Sequence, residues 1–366
     1  MKKLFDDTTT RFKVLYEKNK RFQPLVAFLA GFTWDSFTLT RIDLFLDNVI
    51  LFSYLLLAGI LIFFINMIEH QVIKSALILK YRDWYPNLIQ FMFGGLFSGY
   101  VVYYFQSASF GKNWLFLTLL FFLFISNEFI KDRLNNLKLQ FVFYYIALFS
   151  FFIFYLPVLL KTINAFVFIL SGLVSSAIIV GILYLLYKKI PQLKDPLKNL
   201  VIILGVIFLI INLFYFTNII PPVPLSLKDA GIYHDIERQN NKYILRFEKA
   251  AWYNPFKNSE DTFQYAPGDT VFCFASVFAP TDLDTKIYHN WQFYNEFAGE
   301  WQRSDRMNYK ISGGRDGGYR GYTFKRNVAA GLWRVDVETE REQLLGRISF
   351  EIILVNNRVS LDQIFR

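Results

Sequence analysis

Six apolar segments, each about 20 residues long, constrain the fold of this chain more than any other feature of its sequence. In a bilayer every backbone amide and carbonyl needs a partner within the protein, so segments of this length are expected to cross as helices. The six run approximately over Asp47–Met67, Pro86–Gln106, Asn113–Ile130, Leu139–Leu160, Asn164–Tyr187 and Leu200–Ile220. The series stops at Pro221, Pro222 and Pro224, which have no amide hydrogen and therefore end a helix.

A seventh segment, Phe22–Thr40, contains Asp35, and hydropathy leaves it undecided because a central carboxylate opposes insertion about as strongly as the apolar residues favour it. The distribution of basic residues decides whether this segment crosses the membrane. If the segment crosses, one side of the membrane receives 17 Lys and Arg residues, and the short loops on the other side receive three. The positive-inside rule therefore predicts seven transmembrane helices within residues 24–220, with the basic tail of residues 1–23 in the cytoplasm and the chain after the prolines outside.

The net charge of +9 could also indicate a nucleic-acid partner, but its location argues against one. Residues 228–366 carry 19 basic and 19 acidic side chains, so the whole excess lies in the apolar half of the chain. Basic loops next to membrane helices are the orientation signal of a membrane protein. We therefore expect membrane lipid, and not nucleic acid, as a partner.

Two carboxylates within the predicted helices are candidate intramembrane polar centres, because charged groups in lipid are costly and often functional. Asp35 lies inside its segment, and a hydrogen bond facing the bundle and a functional carboxylate are equally open interpretations. Glu128 lies near a predicted cytoplasmic helix end, where water is available, so placement at the interface is favoured over a buried proton relay.

After a Pro-rich neck, predicted over residues 221–230, the pattern changes to short segments in which apolar and polar residues alternate. Seven segments of this kind, separated by turn signals, predict an antiparallel β-sandwich of immunoglobulin-like type over residues 231–366. The chain as a whole is thus predicted to be an α+β membrane protein. The predicted strands are Tyr243–Phe247, Thr270–Phe278, Lys286–Tyr294, Trp301–Ile311, Tyr319–Asn327, Leu332–Thr339 and Leu345–Val355. In Leu332–Thr339 the alternation predicts a core face with Trp333, Val335 and Val337 and a solvated face with Arg334, Asp336 and Glu338.

The cysteine and histidine residues of the sandwich favour structural roles. Thr270–Phe278 is apolar on both faces, so we expect a central strand with Cys273 buried as a small hydrophobic residue. A single cysteine cannot form an intramolecular disulfide, and no Cys/His cluster has zinc-site spacing, so neither a metal nor a cofactor is expected. His289 shares a strand face with Ile287 and Trp291, which favours a core histidine over a catalytic base.

The run YKISGGRDGGYRGYTFKRN, residues 309–327, is the candidate ligand-binding segment. Its five glycines fit neither phosphate-loop pattern, and Asp316-Gly317 is a hairpin signal, so a simple turn is the favoured interpretation. The functional alternative is that guanidinium groups and aromatic rings, crowded beside accessible backbone, bind sugars, carboxylates or phosphates of envelope polymers. The candidate residues are Arg315, Asp316, Tyr319, Arg320 and Tyr322, together with His289 on a neighbouring strand.

Several long motifs resemble the bacterial family named domain of unknown function 2914. They are VFCFASVFAP, KIYHNWQFYN, SGGRDGGYRGYTFKRN and GLWRVDVETE, with IPPVPLSLKDAGIYH and GFTWDSFTLTRID upstream. The resemblance covers most of the chain and is densest over Asp269–Phe350. It implies a polytopic bacterial membrane protein with a C-terminal β-domain and no assigned reaction, so no catalytic residues can be carried over.

The leading hypothesis is a multi-pass protein of the bacterial inner membrane whose exported, periplasmic sandwich binds a partner protein or an envelope glycan near the membrane surface. A stiff proline neck would restrict the sandwich to targets close to the bilayer. The alternative is a membrane-embedded enzyme or transporter that handles a lipid-linked envelope precursor through Asp35 and Glu128. A purely structural subunit is a third possibility, and a non-enzymatic role is favoured overall.

Overall fold

The computed structural model describes residues 33, 35, 37, 44–129, 136–240, 242–249, 257–280, 283–312 and 317–366. Over these ranges seven α-helices with defined bounds precede eleven β-strands. Short 3-10 turns, Arg82–Trp84 and Pro191–Leu193, come before the third and the last helix. The helices are α1 Phe45–Glu69, α2 Ala76–Lys80, α3 Tyr85–Ser107, α4 Phe110–Phe129, α5 Leu137–Leu160, α6 Ala165–Lys189 and α7 Lys194–Phe216.

Five helical stretches of the described chain are long and apolar enough to cross a membrane: α1, α3, α5, α6 and Pro191–Phe216, which contains α7. The predicted count of seven is therefore not supported. The segment predicted over Asn113–Ile130 does form a helix, α4, which runs over Phe110–Phe129 and includes the apolar stretch Asn113–Ser126. The segment Phe22–Thr40 lies outside the described residues except at 33, 35 and 37.

The described chain divides into two compact units. The first unit draws on Met1–Val102, Thr118–Phe151 and Val174–Val206, and the second on Tyr103–Leu117, Phe152–Leu173 and Ile207–Arg366. Within the first unit small residues allow helices to approach closely. The Tyr144 ring lies over Gly59 and the Tyr54 ring over Gly95, so a side chain at either glycine would collide with an aromatic ring.

The second unit contains a β-domain of eleven described strands arranged in three sheets. The sheet orders are β1-β5-β8, β4-β10-β9-β6-β7 and β11-β3-β2. All seven predicted strands are confirmed, within about two residues at each end, and β1, β2, β4 and β11 are additional. The strands are β1 Ser226–Tyr233, β2 Asp235–Gln239, β3 Lys242–Glu248, β4 Thr262–Tyr265, β5 Val271–Phe278, β6 Asp284–Asn295, β7 Glu300–Ser312, β8 Tyr319–Lys325, β9 Gly331–Thr339, β10 Leu344–Leu354 and β11 Leu361–Phe365.

The prediction of a purely antiparallel sandwich was wrong at one edge. Strand β4 pairs parallel to β10, with Thr262 opposite Glu351 and Tyr265 opposite Leu354. Strand β4 follows β3 of the small sheet in the chain and lies at the edge of the five-stranded sheet, beside β10. The remaining described strand pairs are antiparallel.

The main core of the β-domain lies between the five-stranded sheet and the sheet β1-β5-β8. Trp291 and Cys273 are completely buried in this core. On its other face β5 packs against the small sheet β11-β3-β2, where Phe274 meets Leu245 and Phe247. The central position of β5 and the burial of Cys273 are thereby confirmed, and that burial raises the pKa of the thiol above its ordinary value.

The segment between α7 and β1 is packed and does not stand in solvent as a spacer. Asn218 adopts a left-handed conformation (φ 57°) after the end of α7, and the Ile219 amide donates back to the Phe214 carbonyl at 2.9 Å. The run from Ile220 to Leu225 is buried. Strand β1 then begins at Ser226, inside the predicted neck of residues 221–230.

Within the second unit, residues of α4 and of the turn between β9 and β10 contact this junction. Asn113 at the start of α4 donates to the Ile219 carbonyl at 2.8 Å. The guanidinium of Arg341, in the turn between β9 and β10, lies 4.3 Å from the centroid of the Tyr215 ring near the end of α7. Asn218 donates to the Arg341 carbonyl at 3.3 Å. The β-domain is therefore docked on the end of α7 through specific contacts.

Candidate functional site

The predicted ligand-binding residues divide into three groups by their position. Tyr319, Arg320 and Tyr322 lie on strand β8. Arg315 and Asp316 lie outside the described residues, so their proposed role stays a prediction. His289 lies on β6 and is buried. Of the candidate residues in the run 309–327, only those on β8 can therefore be placed on a described surface.

An aromatic strip covers the outer face of β8 and its neighbours. Phe272 on β5 pairs directly with Phe324 on β8, and the ring centroids are 5.7 Å apart. The Tyr322 ring lies 6.0 Å from that of Phe272 and 6.2 Å from that of Tyr243 on β3. Tyr322 is 39% exposed and Phe324 48% exposed. Tyr243, Phe272, Tyr322 and Phe324 together form what is called the aromatic strip below.

Two guanidinium groups flank the aromatic strip. Arg326 lies 5.8 Å from the centroid of the Phe324 ring and donates from Nε to Thr270 Oγ1 at 3.1 Å. Arg238, on β2, lies 5.9 Å from the centroid of the Tyr243 ring. Exposed rings offer flat apolar faces, and the neighbouring guanidinium groups offer several hydrogen-bond donors each. This combination suits ligands that have both apolar faces and oxygen acceptors.

His289 belongs to the core behind β8. It is fully buried, its Nδ1 lies 2.9 Å from Thr323 Oγ1, and its Nε2 lies 3.3 Å from the Tyr309 hydroxyl. Trp291 donates to the same Thr323 oxygen at 3.0 Å. Burial lowers the pKa of His289 to about 3, so the ring is neutral at physiological pH. Both ring nitrogens thus have hydrogen-bond partners inside the core. His289 is therefore a core residue and does not lie on the aromatic strip.

Two glycines of the predicted segment lie where a larger side chain would collide with its neighbours. The Tyr309 ring lies directly against Gly321, so any larger residue at this position would collide with the ring. Gly318 has a φ of +80°, a conformation that favours glycine, and its Cα faces the backbone of Val277 and Phe278. These contacts explain two glycines of the run without a phosphate ligand.

The two intramembrane candidates lie in the first unit. Asp35 is helical and half-buried. Glu128 lies in the last turn of α4, and its side chain is outside the described part of the structure. Their proposed role therefore stays a prediction.

A cluster that the sequence did not reveal lies at the end of β3, the middle strand of the small sheet. His234 separates β1 from β2, Glu248 ends β3, and Glu260 precedes β4. One ligand-type atom from each residue lies within 4.8 Å of the corresponding atoms of the other two. His234 Nε2 is 3.2 Å from Glu248 Oε1, and the ring stacks on Phe263 with centroids 3.8 Å apart.

Lys257 supplies the positive charge of this cluster. Its ammonium nitrogen is 2.6 Å from Glu260 Oε2 and 3.7 Å from Glu248 Oε2. Burial tends to raise the pKa of Glu248, but hydrogen bonds from His234 and the Gln264 amide, with the Lys257 charge, lower it below its ordinary value. Burial raises the pKa of Glu260 despite the Lys257 ammonium. The cluster thus contains a histidine and two carboxyl groups whose pKa values are shifted in opposite directions.

Sequence spacing could not have identified this cluster. Its members are 14 and 12 residues apart and come from three separate elements, whereas motif searches for metal sites depend on pairs separated by a few residues. The expectation that the chain has no metal site was based on such motifs. The available signal was weaker: two glutamates and a histidine stand at strand ends.

A small cavity adjoins the junction within the second unit. It has a volume of about 20 Å³ and is lined by residues that include Phe168, Tyr215, Pro221 and Gln343. The buried Gln343 Nε2 makes no hydrogen bond to the described residues. A space of this size holds about one water molecule, so it is too small for an organic ligand.

Comparison with protein families confirms the resemblance. Residues 284–352, which span β6 to most of β10, match the family described as "Protein of unknown function (DUF2914)". No curated protein matches the chain. The matched range includes Tyr319, Arg320 and Tyr322 and excludes His234, Glu248 and Glu260.

Three solved structures show weak similarity. An immunoglobulin-like protein from Pseudomonas aeruginosa has 13% identity and a TM-score of 0.22, covering 36% of this chain and 98% of its own. A β-glucosidase from Listeria innocua in complex with gluconolactone has 10% identity and a TM-score of 0.19, covering 32% and 17%. The alkylpurine DNA glycosylase AlkC from Pseudomonas fluorescens, bound to DNA containing an abasic site analog, has 10% identity and a TM-score of 0.20, covering 76% and 82%. TM-scores this low support no inference about function.

Proposed function

We propose that this chain, whose residues 284–352 match a family of proteins of unknown function, is a bacterial inner-membrane protein whose β-domain binds an envelope glycan or a partner protein. The observation that carries the proposal is the aromatic strip with its two flanking guanidinium groups. Surface tyrosine and arginine residues are also the types that contribute most to binding interfaces. The docking of the β-domain on the end of α7 supports a target close to the membrane surface.

The topology belongs to the same proposal. Seven helices, a cytoplasmic N-terminus and a periplasmic β-domain of immunoglobulin-like type are consistent with the basic-residue bias and with a buried Trp291 beside Cys273 in a two-sheet core. Fusions after Arg366 test the orientation, because they leave β1 intact. Alkaline phosphatase should be active there and green fluorescent protein dark. The opposite result would place the β-domain in the cytoplasm and remove the envelope ligand from consideration.

Binding can be tested with the full-length protein in mild detergent. Peptidoglycan fragments and lipopolysaccharide serve as glycan probes, and crosslinking in intact cells serves for protein partners. Tyr322→Ala and Phe324→Ala each remove a ring from the strip and should weaken binding about tenfold, the equivalent of roughly 1.4 kcal/mol. Phe297→Ala is the matched control, because Phe297 is a fully exposed aromatic in the β6–β7 turn. Equal binding by all three variants would eliminate the strip as the ligand site.

The membrane-embedded enzyme or transporter is kept as a second candidate because Asp35 is a half-buried carboxylate on a helix. It predicts that Asp35→Asn abolishes function while the protein remains in the membrane at normal abundance. Full complementation of a deletion strain by Asp35→Asn would count against this candidate and leave the binding function in place.

A further inference from the structure

The cluster of His234, Glu248 and Glu260 at the end of β3 has the ligand types of a transition-metal site. Zinc and related divalent ions accept histidine nitrogen and glutamate oxygen at about 2.0–2.2 Å, so two ligands of a tetrahedral ion are about 3.3 Å apart. His234 Nε2 and Glu248 Oε1 are already 3.2 Å apart. All three ligand atoms lie within 4.8 Å of one another, so a modest rotation of Glu260 would complete the set.

The surrounding backbone holds these ligands in place. The His234 amide donates to the Arg246 carbonyl at 2.9 Å, which fixes the residue between β1 and β2. The Gln264 amide donates to Glu248 Oε1 at 2.7 Å. The Glu248 amide donates to Glu260 Oε1, and the Glu260 amide donates to the Ile232 carbonyl at 3.0 Å. Supporting hydrogen bonds of this kind orient metal ligands and tune their basicity.

The charge of the cluster is incompletely balanced. Glu248 and Glu260 are 8% and 0% exposed, and a single ammonium group, that of Lys257, lies between them. The Lys257 ammonium pairs with Glu260 Oε2 at 2.6 Å, and this buried oxygen accepts no hydrogen bond from any other residue that the structure describes. Two buried carboxyl groups that share one ammonium group, beside a histidine nitrogen, outline a position suited to a cation.

We propose that His234, Glu248 and Glu260 form a site for a divalent transition-metal ion of the zinc class, and that the Lys257 ammonium takes the cation position when the metal is absent. Lys257 is 18% exposed at its side chain, so its ammonium has a route to solvent when an ion enters. Bound metal would join the end of β3, the start of β4 and the β1–β2 connection. The site thus acts as a removable crosslink of the β-domain, independent of any ligand at the aromatic strip.

The test uses full-length protein in detergent, purified through a tag without histidines and stripped with a chelator. Titration with Zn²⁺ should give one ion per chain, and Co²⁺ should give the visible absorption of a tetrahedral site. Thermal unfolding should shift to higher temperature when Zn²⁺ is added. His234→Ala and Glu260→Gln should each weaken Zn²⁺ binding at least tenfold.

Lys257→Met separates the proposal from a purely structural role for the lysine. If the ammonium competes with the ion, this variant should bind Zn²⁺ about tenfold more tightly than the unsubstituted chain and should be rescued thermally by it. Glu237→Gln is the matched control, because Glu237 is an exposed carboxylate on β2 that pairs with Arg246. The proposal is overturned if neither the unsubstituted chain nor Lys257→Met binds a stoichiometric ion, or if His234→Ala and Glu260→Gln bind Zn²⁺ as tightly as Glu237→Gln does.

Discussion

The helical region and the β-domain bury polar side chains in different ways. In the helical unit two neutral pairs connect helices, and in one of them Asn66 on α1 donates to Gln140 Oε1 on α5 at 2.8 Å. Tyr145 on α5 and Ser176 on α6 share a hydrogen bond of 2.9 Å. Asn66, Gln140 and Tyr145 are buried, and Ser176 is half-buried.

The β-domain instead buries charges in matched pairs on its five-stranded sheet. Asp336 is 3% exposed and receives two hydrogen bonds from Arg347, at 2.6 and 2.7 Å. Glu338 is 2% exposed and receives one from Arg306 at 2.7 Å. The difference follows from the solvent. A charge in lipid has no compensation when its partner moves, whereas a charge at the surface of a water-facing sheet is hydrated whenever the pair opens.

The largest test of this comparison removes one partner of a buried ion pair. Arg347→Met removes the guanidinium that donates two hydrogen bonds to buried Asp336 and should lower the free energy of unfolding by roughly 3 kcal/mol, the low end of the range because Arg347 is itself partly exposed. Thermal or denaturant unfolding of the full chain, followed by tryptophan fluorescence, measures the loss. Arg303→Met is the control: its pair with Glu342 is half-exposed, so a change below about 1 kcal/mol is expected. Equal effects in the two variants would show that burial of Asp336 carries no extra cost.

A second, smaller effect concerns acid. The unfolded chain protonates His289 near pH 6.5, whereas native His289 stays neutral down to about pH 3, so the unfolded state binds more protons between these values. Stability should therefore fall as the pH is lowered through this window, by about 1.4 kcal/mol per pH unit, or about 2 kcal/mol at pH 5. His289→Gln should shift the baseline stability but lose this part of the slope. A slope unchanged in the variant would mean that the acid sensitivity comes from other groups.

The smallest effect is expected in the helices. A double-mutant cycle with Asn66→Leu and Gln140→Leu should give a coupling energy of about 0.6–1.7 kcal/mol, the range of hydrogen bonds between membrane helices. Thermal unfolding in detergent, with each single variant as a reference, measures this term. A coupling above about 3 kcal/mol would erase the contrast with the ion pairs of the β-domain.

Alternation along the chain was sufficient to place the predicted strands and the core residues of β9. Trp333, Val335 and Val337 are buried, as their spacing of two indicates. The same rule assigned Asp336 and Glu338 to a solvated face, and both are buried. The rule describes only one strand at a time, and the arginines that cover these carboxylates come from β10 and β7.

The junction shows a similar limit. Three prolines correctly mark the end of α7, because they cannot continue a helix. They did not reveal that Asn113 and Arg341 would contact the residues around the end of α7, since both come from distant parts of the chain. For the same reason β1, which starts two residues after Pro224, was assigned to the neck.

Local patterns predicted the long apolar helices and seven of the eleven described strands, because segment length and side-chain period depend only on neighbours in sequence. They also place the basic residues from which an orientation is proposed. The tertiary structure alone decides what meets across elements: the three-sheet arrangement, the aromatic strip, and the convergence of His234, Glu248 and Glu260. Such contacts join residues far apart in the chain, so the spacing of these residues in the sequence does not predict them.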